Sequence, residues 1–346
     1  MTWLTWRQFR AQASVALATL AVIAITFAIT GPHLAHLYAA SGIATCQAHG
    51  DCSTLASNFL NQVKASATYP ALFALGIGVL YVVPAIIAIF WGAPLVAREL
   101  EAGTFRLVWN QSVTRTRWLA VKIGLIGLAS MATAGLASLM VTWWASPIDR
   151  AAGLGAVLDS NRLMPQLSGA RGITSIGYAA FAFAFGVTAG VLVRRTLPAM
   201  AITLAVFAAV QITMPLWVRP HLIAPLHHTT ALNTATLDQL TVWRNGSQMT
   251  VIGHANMPGA WILSNQSITQ AGHVFTGPAT QACVSQTASQ RACNASIARL
   301  HLRQLVTYQP ASRYWAFQWY ETAIFLALAL ALAGFCFWWI RRRRIA

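Results

Sequence analysis

The stretch YPALFALGIGVLYVVPAIIAIFW at residues 69–91 decides the fold class, because it contains no charged residue. The hydrocarbon core of a bilayer is about 30 Å thick, and a helix rising about 1.5 Å per residue needs roughly 20 apolar residues to cross it. This stretch and five others in the chain are continuously apolar. They have no alternating polar face, which favours helices over the strands of a barrel. The predicted spans are 11–31, 69–91, 118–145, 172–193, 196–218 and 322–340.

The composition supports an all-α polytopic membrane protein with six transmembrane helices. The chain is 57% hydrophobic and 9% charged, whereas about 25% of the residues of a soluble domain are charged. A net charge of +16 is also typical of proteins that bind nucleic acid. Here the basic residues lie at the ends of the apolar runs. We therefore predict that the partner of the chain is the lipid bilayer and not nucleic acid.

The distribution of basic residues predicts the orientation of the chain. Segments 1–10, 92–117, 194–195 and 341–346, together with Lys122, hold 13 of the 23 lysines and arginines. Short loops that are rich in arginine and lysine stay on the cytoplasmic side. We therefore expect both the N terminus and the C terminus to be cytoplasmic.

The predicted spans divide the chain into three parts. Residues 1–218 would hold an amphipathic N-terminal helix lying in the membrane interface at Thr2–Gln12, the first five spans and the cytoplasmic loop 92–117. Residues 219–313 would form a large extracellular region, and residues 314–346 the sixth span with its basic cytoplasmic tail. Within the extracellular region, Ala295–Tyr308 has apolar residues at helical spacing and is predicted to form one helix.

Four of the five cysteines fall in the predicted outer segments, where disulfides persist. The pairings Cys46–Cys52 and Cys283–Cys293 close the smallest loops, and a metal clip is the alternative for the first pair. Cys336 lies within the last span and is expected to pack as a small apolar residue. The nine histidines match no strong metal motif, so no metal site is predicted.

The sequence lacks the common motifs of catalysis and nucleotide binding. It contains no G-x-x-x-x-G-K-[ST], H-E-x-x-H or G-x-S-x-G pattern, and it has seven carboxylates in all. No catalytic residue is therefore assigned, and an enzyme is not expected.

The loop VARELEAGTFRL at residues 96–107 carries the most specific signal. It is a short charged helix, broken at Gly103, where glycine permits a left-handed turn, and followed by Thr104, which could cap a second helix. Residues 112–122, SVTRTRWLAVK, then lead into the third span. A rigid, charged protrusion of this kind could dock into a groove of a soluble partner. A solvated loop whose charges only fix the membrane topology would have the same sequence pattern.

The E-x-E-x-G-T pattern and the basic entry into the third span resemble the coupling loop of ABC-2 type transporter permeases. The tail at 307–322, TYQPASRYWAFQWYET, resembles a branch of that family from high-GC Gram-positive bacteria. The resemblance implies a multi-pass protein of the bacterial plasma membrane that pairs with a second, identical or similar, permease and docks separate ATPase subunits. ATP and Mg would be bound by those subunits, and this chain would hold no cofactor. The residues expected at the ATPase contact are Glu99, Glu101, Gly103, Thr104, Arg106, Arg7 and Arg10.

The translocation path is predicted from polar residues within the spans. Charged and strongly polar groups there are costly, which draws attention to Gln211 in the fifth span and Glu321 at the outer end of the sixth. Gly186 and Gly190 form a G-x-x-x-G pattern that allows close helix packing, within the chain or at a permease dimer seam. The apolar spans favour export of a drug, antibiotic, peptide or lipid-like molecule. The alternative function is a membrane sensor or scaffold without transport activity.

Overall fold

The chain folds into two compact units in the computed structural model, and each is described by itself. The first unit comprises Met1–Leu222 with Tyr314–Ala346, and the second comprises Ile223–Arg313. The structure describes residues 2–46, 52–103, 114–154, 162–242, 248–255, 257–284 and 289–342. Arg219–Leu222 belongs to the first unit, so the division falls four residues later than the predicted start of the outer region at residue 219.

The first unit is helical. Its α-helices in the described residues are α1 Thr2–Ala40, α2 Ile43–Cys46, α3 Ser53–Ala65, α4 Thr68–Ile86, α5 Ala93–Glu101, α6 Arg115–Trp144, α7 Ser146–Ala152, α8 Pro165–Ser168, α9 Thr174–Val193, α10 Thr196–Thr213, α11 Arg219–Leu222 and α14 Tyr314–Arg342. Two π-helical turns, Ile87–Gly92 and Met214–Val218, join α4 to α5 and α10 to α11.

Six stretches in the described residues are long and apolar enough to cross a membrane. They are Phe9–Ala40, Thr68–Glu101, Arg115–Trp144, Thr174–Val193, Thr196–Leu222 and Ala311–Arg342. Each contains most or all of one predicted span.

The separate interfacial helix predicted at Thr2–Gln12 is not seen. These residues are the first turns of α1, which continues without interruption to Ala40. The sequence Ala11–Ala16 contains no proline or glycine that would break the helix after its amphipathic start.

Helix α9 is the centre of the first unit. In its apolar window 78% of the residues are buried, compared with 11% to 28% in the other five candidate spans. It packs against α4, α5, α6, α10 and α14. Eight of the 20 residues of α9 are alanine or glycine, and these small residues let neighbouring backbones approach closely.

Gly186 and Gly190 hold α9 against the segment that joins α4 to α5. A Cβ atom at position 186 would lie 2.6 Å from the carbonyl oxygen of Ala88, and one at position 190 would lie 2.5 Å from that of Ala93. Both glycines therefore serve packing within the chain.

Both ends of the polypeptide lie at one end of the helical unit. One hydrophobic cluster joins Phe9 from the start of α1, Val96 from α5, Trp118 from α6 and Ile340 from the end of α14. We call this the elbow end, because it contains the turn from α4 into α5. An even number of membrane crossings requires this arrangement.

The second unit corrects the all-α prediction, because it is built on β-strands. Its elements are β1 Leu226–Ala231, β2 Leu237–Val242, β3 Met249–Gly253, β4 Trp261–Ile268, α12 Gln281–Val284, α13 Gln290–Ala298 and β5 Arg303–Gln309. Among the described residues, one antiparallel sheet has the order β1-β5-β4 and a second pairs β2 with β3.

The single helix predicted over Ala295–Tyr308 is wrong. Helix α13 ends at Ala298, and His301 then adopts a φ of 45°, a conformation incompatible with a continuing helix. From Arg303 the chain is a strand in which Gln304 and Val306 are buried on one face. Strand β5 pairs on both sides, so two ladders of backbone hydrogen bonds outweigh the local helical spacing.

The five cysteines take the states expected from the sequence. Disulfides join Cys46 to Cys52 in the first unit and Cys283 to Cys293 in the second. Cys336 is a free, buried thiol in α14, where its Sγ lies 3.3 Å from the hydroxyl of Thr188.

Substitution of Gly190 by alanine should destabilise the helical unit, although alanine normally favours a helix. The added methyl group would overlap the Ala93 carbonyl, and overpacking of this kind costs about 1–3 kcal/mol. Thermal unfolding of the detergent-purified protein would measure this effect. The matched control is Gly124→Ala in α6, where an added Cβ meets no atom within 4 Å. Equal melting temperatures for the two variants would contradict this account of the α9 contact.

Candidate functional site

The first carboxylate of the elbow, Glu99, lies inside the helical unit. Its Oε1 accepts a hydrogen bond from the Nζ of Lys122 at 2.5 Å, and the two side chains are 15% and 4% exposed. The ammonium group of Lys122 also lies 5.0 Å from the ring centroid of Trp118. A charge pair shielded from water resists separation because each partner left alone would be a buried charge. Glu99 therefore ties α5 to α6.

The second carboxylate, Glu101, lies at the surface and ties α5 to α10. Its Oε2 accepts hydrogen bonds from the backbone N–H of Thr196 at 2.9 Å and from the Thr196 hydroxyl at 2.7 Å. An acidic group at the first turn of a helix accepts a hydrogen bond from an otherwise free N–H. Its negative charge is also stabilised by the positive end of the helix dipole. The turn Arg194–Arg195 before α10 is thereby held against the elbow.

Gly103 lies just after the end of α5 at Glu101. Its φ is +70°, a left-handed conformation that glycine adopts without strain. Two other predicted contact residues, Thr104 and Arg106, lie outside the described residues. The structure thus brings Glu99, Glu101 and Gly103 together at one end of α5.

The start of α1 packs on the elbow. The rings of Phe9 and Trp91 meet edge to face with centroids 4.7 Å apart, and the side-chain amide of Gln12 donates to the carbonyl of Phe90 at 3.0 Å. Of the two predicted arginines, Arg7 lies 5.4 Å from the Trp3 ring centroid and Arg10 is exposed. These contacts place the basic start of α1 beside α5.

A second polar cluster lies at the opposite end of the helical unit. Arg219 and Glu321 form a salt bridge in which both side chains are 1% exposed. The guanidinium also donates through Nη1 to the carbonyl of Pro165 at 2.6 Å. Glu321, which the sequence marks as a candidate for the substrate path, is therefore paired and enclosed in this conformation.

The described residues just before α9, from 162 onwards, pack into this cluster. Leu163, Leu167 and Ser168 are buried, as is Arg171. We call residues 162–173 the plug segment. Arg171 forms two hydrogen bonds with Asp149 of α7, at 3.0 and 2.6 Å.

Gln318 of α14 holds the plug segment from the other side. Its Oε1 accepts from the N–H and the hydroxyl of Thr174, and its Nε2 donates to the carbonyl of Ser168 at 2.7 Å. Ser138 of α6 adds a bond to the carbonyl of Gly172 at 2.9 Å. The ends of α6, α7, α11 and α14 are thus joined through one short segment.

Gln211, the other candidate for the substrate path, is half-buried in α10. It is not part of either polar cluster. Sequence reasoning missed Arg219, Arg171, Asp149 and Gln318. The signal for the first three was their rarity, since a carboxylate or arginine next to an apolar span is expected to have a partner.

The two clusters can hold helix ends together and release them. Both are made of ion pairs and hydrogen bonds that have a discrete formed state and a discrete broken state, as conformational switches require. The combination of six candidate spans, a central helix rich in small residues and ion-paired helix ends is that of a multi-pass membrane protein.

A comparison with protein families identifies the kind of membrane protein to which the chain belongs. A family model described as ABC-2 membrane transporter related matches residues 17–219, which is more than half of the chain. The chain belongs to this family, whose members are transporter permeases. No curated protein and no solved structure gave a match.

Breaking the Arg219–Glu321 pair should destabilise the protein strongly. The variant Glu321→Gln leaves the Arg219 charge buried without its counter-ion, and a lost partner of this kind costs about 3–5 kcal/mol. The double variant Arg219→Met with Glu321→Leu should recover much of that loss, because no buried charge remains. A double-mutant cycle that adds the single variants Arg219→Met and Glu321→Leu, read by thermal stability in detergent, measures both effects.

The control for this cycle is the exposed pair His254–Asp238 in the second unit. Its variant Asp238→Asn should change stability by less than about 1 kcal/mol. If Glu321→Gln were as mild as this control, the pair would not be the lock described above.

Proposed function

We propose that this protein is the permease subunit of an ATP-driven exporter whose ATPase is a separate polypeptide. Membership of the ABC-2 family is the observation that carries the proposal. The ATPase subunits would bind ATP and Mg and dock on the elbow end. This chain would contribute the path through the membrane and no catalytic residue.

The charge at the elbow end supports a cytoplasmic location for it. Arginine and lysine concentrate in short cytoplasmic segments of membrane proteins. The basic residues at this end within the described chain are Arg7, Arg10, Arg98, Arg115, Arg117, Lys122, Arg194, Arg195, Arg341 and Arg342. The second unit, between the fifth and sixth spans, would then lie outside the cell, where its disulfide would persist.

The elbow geometry suggests how movement of the ATPase would reach the helices. Helix α5 is linked to α6 through Glu99, to α10 through Glu101 and to α9 through Gly190. A displacement of α5 would therefore be passed to three spans at once. Glu99 would act by positioning α5, whereas the exposed Glu101 and the start of α1 are available to contact a docked subunit.

The plug segment supports a closed outer end in this conformation. Opening would require the contacts of Arg219, Arg171 and Gln318 to rearrange. The apolar spans favour a hydrophobic or amphiphilic cargo such as a drug, antibiotic, peptide or lipid. A second copy of the chain, or a close homologue, would complete the path, and the bacterial plasma membrane would be its location.

The orientation can be tested by labelling single introduced cysteines. The natural cysteines give a low background, since four form disulfides and Cys336 is buried. A membrane-impermeant maleimide should label Ala235→Cys in intact cells and should label Ala102→Cys only after permeabilisation. Labelling of position 102 in intact cells would overturn the assignment of the elbow to the cytoplasm.

The coupling role can be tested with the permease and its ATPase partner reconstituted in liposomes. In the double variant Glu99→Gln with Glu101→Gln, cargo-stimulated ATP hydrolysis should fall at least about fivefold, the lower range of coupling between distant sites. The reason is that α5 loses its links to α6 and α10. The exposed variant Asp238→Asn in the second unit should retain full stimulation.

Two results would contradict this proposal. Undiminished stimulation in the double variant would remove the two carboxylates from the coupling path. Failure of any ATP-binding subunit to co-purify with the chain would favour the alternative of a sensor or scaffold.

A further inference from the structure

A cleft of about 420 Å³ lies at the elbow end, between the start of α1 and the turn from α4 into α5. This volume is within the range of small-molecule sites, about 300–1,000 Å³. Its apolar wall is formed by Phe9, Phe90, Trp91, Leu95 and Ile126. The wall suits a hydrocarbon chain or an aromatic group.

The cleft borders the lipid-facing surface of the protein. Phe90, one of its wall residues, is 51% exposed, and an exposed phenylalanine in a membrane span faces lipid. Phe9 and Trp91 on the inner side of the same cleft are 3% and 6% exposed. An apolar chain could therefore pass from the bilayer into the cleft without crossing water.

The polar rim of the cleft carries a net positive charge. Glu99 and Lys122 both line the cleft, and their charges offset each other in the 2.5 Å pair. Arg98 also lines it, is exposed, and forms no ion pair with any residue in the described part of the chain. A guanidinium in this position matches a phosphate group, to which it can donate two parallel hydrogen bonds.

We propose that this cleft binds an anionic membrane lipid, with the phosphate of the headgroup at Arg98 and one acyl chain along the aromatic wall. Basic pockets between membrane helices at the cytoplasmic face hold anionic headgroups in this way. A cationic amphiphile fits less well, because the acidic group of the rim is already paired with Lys122. The proposal uses the proposed function only to place the cleft in the inner leaflet.

The binding of lipid can be measured by native mass spectrometry on the full-length, delipidated protein in detergent. Dioleoyl phosphatidylglycerol should bind about tenfold more tightly than dioleoyl phosphatidylcholine, because both offer a phosphate to Arg98 but the choline ammonium of phosphatidylcholine is repelled by the cationic rim. The two lipids have identical chains, so the comparison isolates the headgroup charge. Arg98→Gln should abolish the preference. Arg98 is exposed, so the variant should fold like the natural protein.

The matched control is Arg117→Gln, an exposed arginine near the start of α6 that does not line the cleft. It should keep the full preference for phosphatidylglycerol. A second variant, Leu95→Trp, fills the cleft and should weaken the binding of both lipids. Soluble glycerol phosphate at the same concentration should not compete.

Several results would overturn the proposal: no preference in the natural protein, a preference that survives in Arg98→Gln, an equal loss in Arg117→Gln, or competition by glycerol phosphate. In proteoliposomes with the ATPase, movement of the bound lipid to the outer leaflet would identify it as cargo, whereas retention would identify a resident lipid. Either result supports the site. The binding measurement needs neither ATP nor an ATPase, so its failure leaves the proposed export function standing, and the reverse also holds.

Discussion

The cost of holding a carboxylate away from water constrains both ends of the helical unit. A chain with seven acidic residues and an apolar interior cannot leave such groups alone in the spans. Each of the five carboxylates in the described part of the chain has a partner: Glu99 with Lys122, Glu101 with Thr196, Asp149 with Arg171, Asp238 with His254 and Glu321 with Arg219. Three of these five contacts join different helices of the first unit, and a fourth joins α7 to the plug segment. Charge pairing therefore determines where the helix ends meet, while apolar packing fills the space between them.

The central helix α9 connects the two charge-locked ends. Towards the elbow, Gly186 and Gly190 place it in backbone contact with the start of α5. Towards the plug segment, Thr174 donates its backbone N–H and its hydroxyl to the side-chain oxygen of Gln318 in α14. Because backbone contacts leave little room for sliding, α9 transmits a displacement as a rigid body more readily than it absorbs one. In the proposed permease, this helix is one physical route from the ATPase contact at the elbow end to the Arg219–Glu321 cluster.

The spans could be predicted from the sequence because the bilayer imposes a length and a composition that are local properties. The predicted span 196–218 and the observed Thr196–Leu222 begin at the same residue. The missed features depend on distant partners. Arg219 and Glu321 are 102 positions apart, so neither reveals the other, and Glu321 alone resembled a path residue. Strand β5 was predicted as a helix because its stability comes from β1 and β4, which are far away in the sequence. Ile297 belongs to a helix that ends at Ala298, and Leu300 lies in the turn between that helix and the strand.

In the proposed permease, the outer end would open by an exchange of hydrogen-bond partners, in which water replaces groups of the plug segment, and not by breaking of the Arg219–Glu321 ion pair. If Arg219 simply left Glu321, two charges would remain in a setting where both side chains are almost fully enclosed, and the free-energy cost would approach that of a deleted partner. The closed and open states would then differ by more than binding of a cargo could easily offset. A movement of α11 and α14 together, with the pair intact, would instead break the bonds from Arg219 to Pro165 and from Gln318 to Ser168 and Thr174. The bond from the Arg219 guanidinium is charge-assisted and contributes about 1.5–3 kcal/mol, whereas each neutral bond of Gln318 contributes about 0.5–1.5 kcal/mol, and water entering the opened end would replace both kinds. In the proposed permease, the geometry of the cluster thus favours a gate in which the ion pair stays intact and its bonds to the plug segment break.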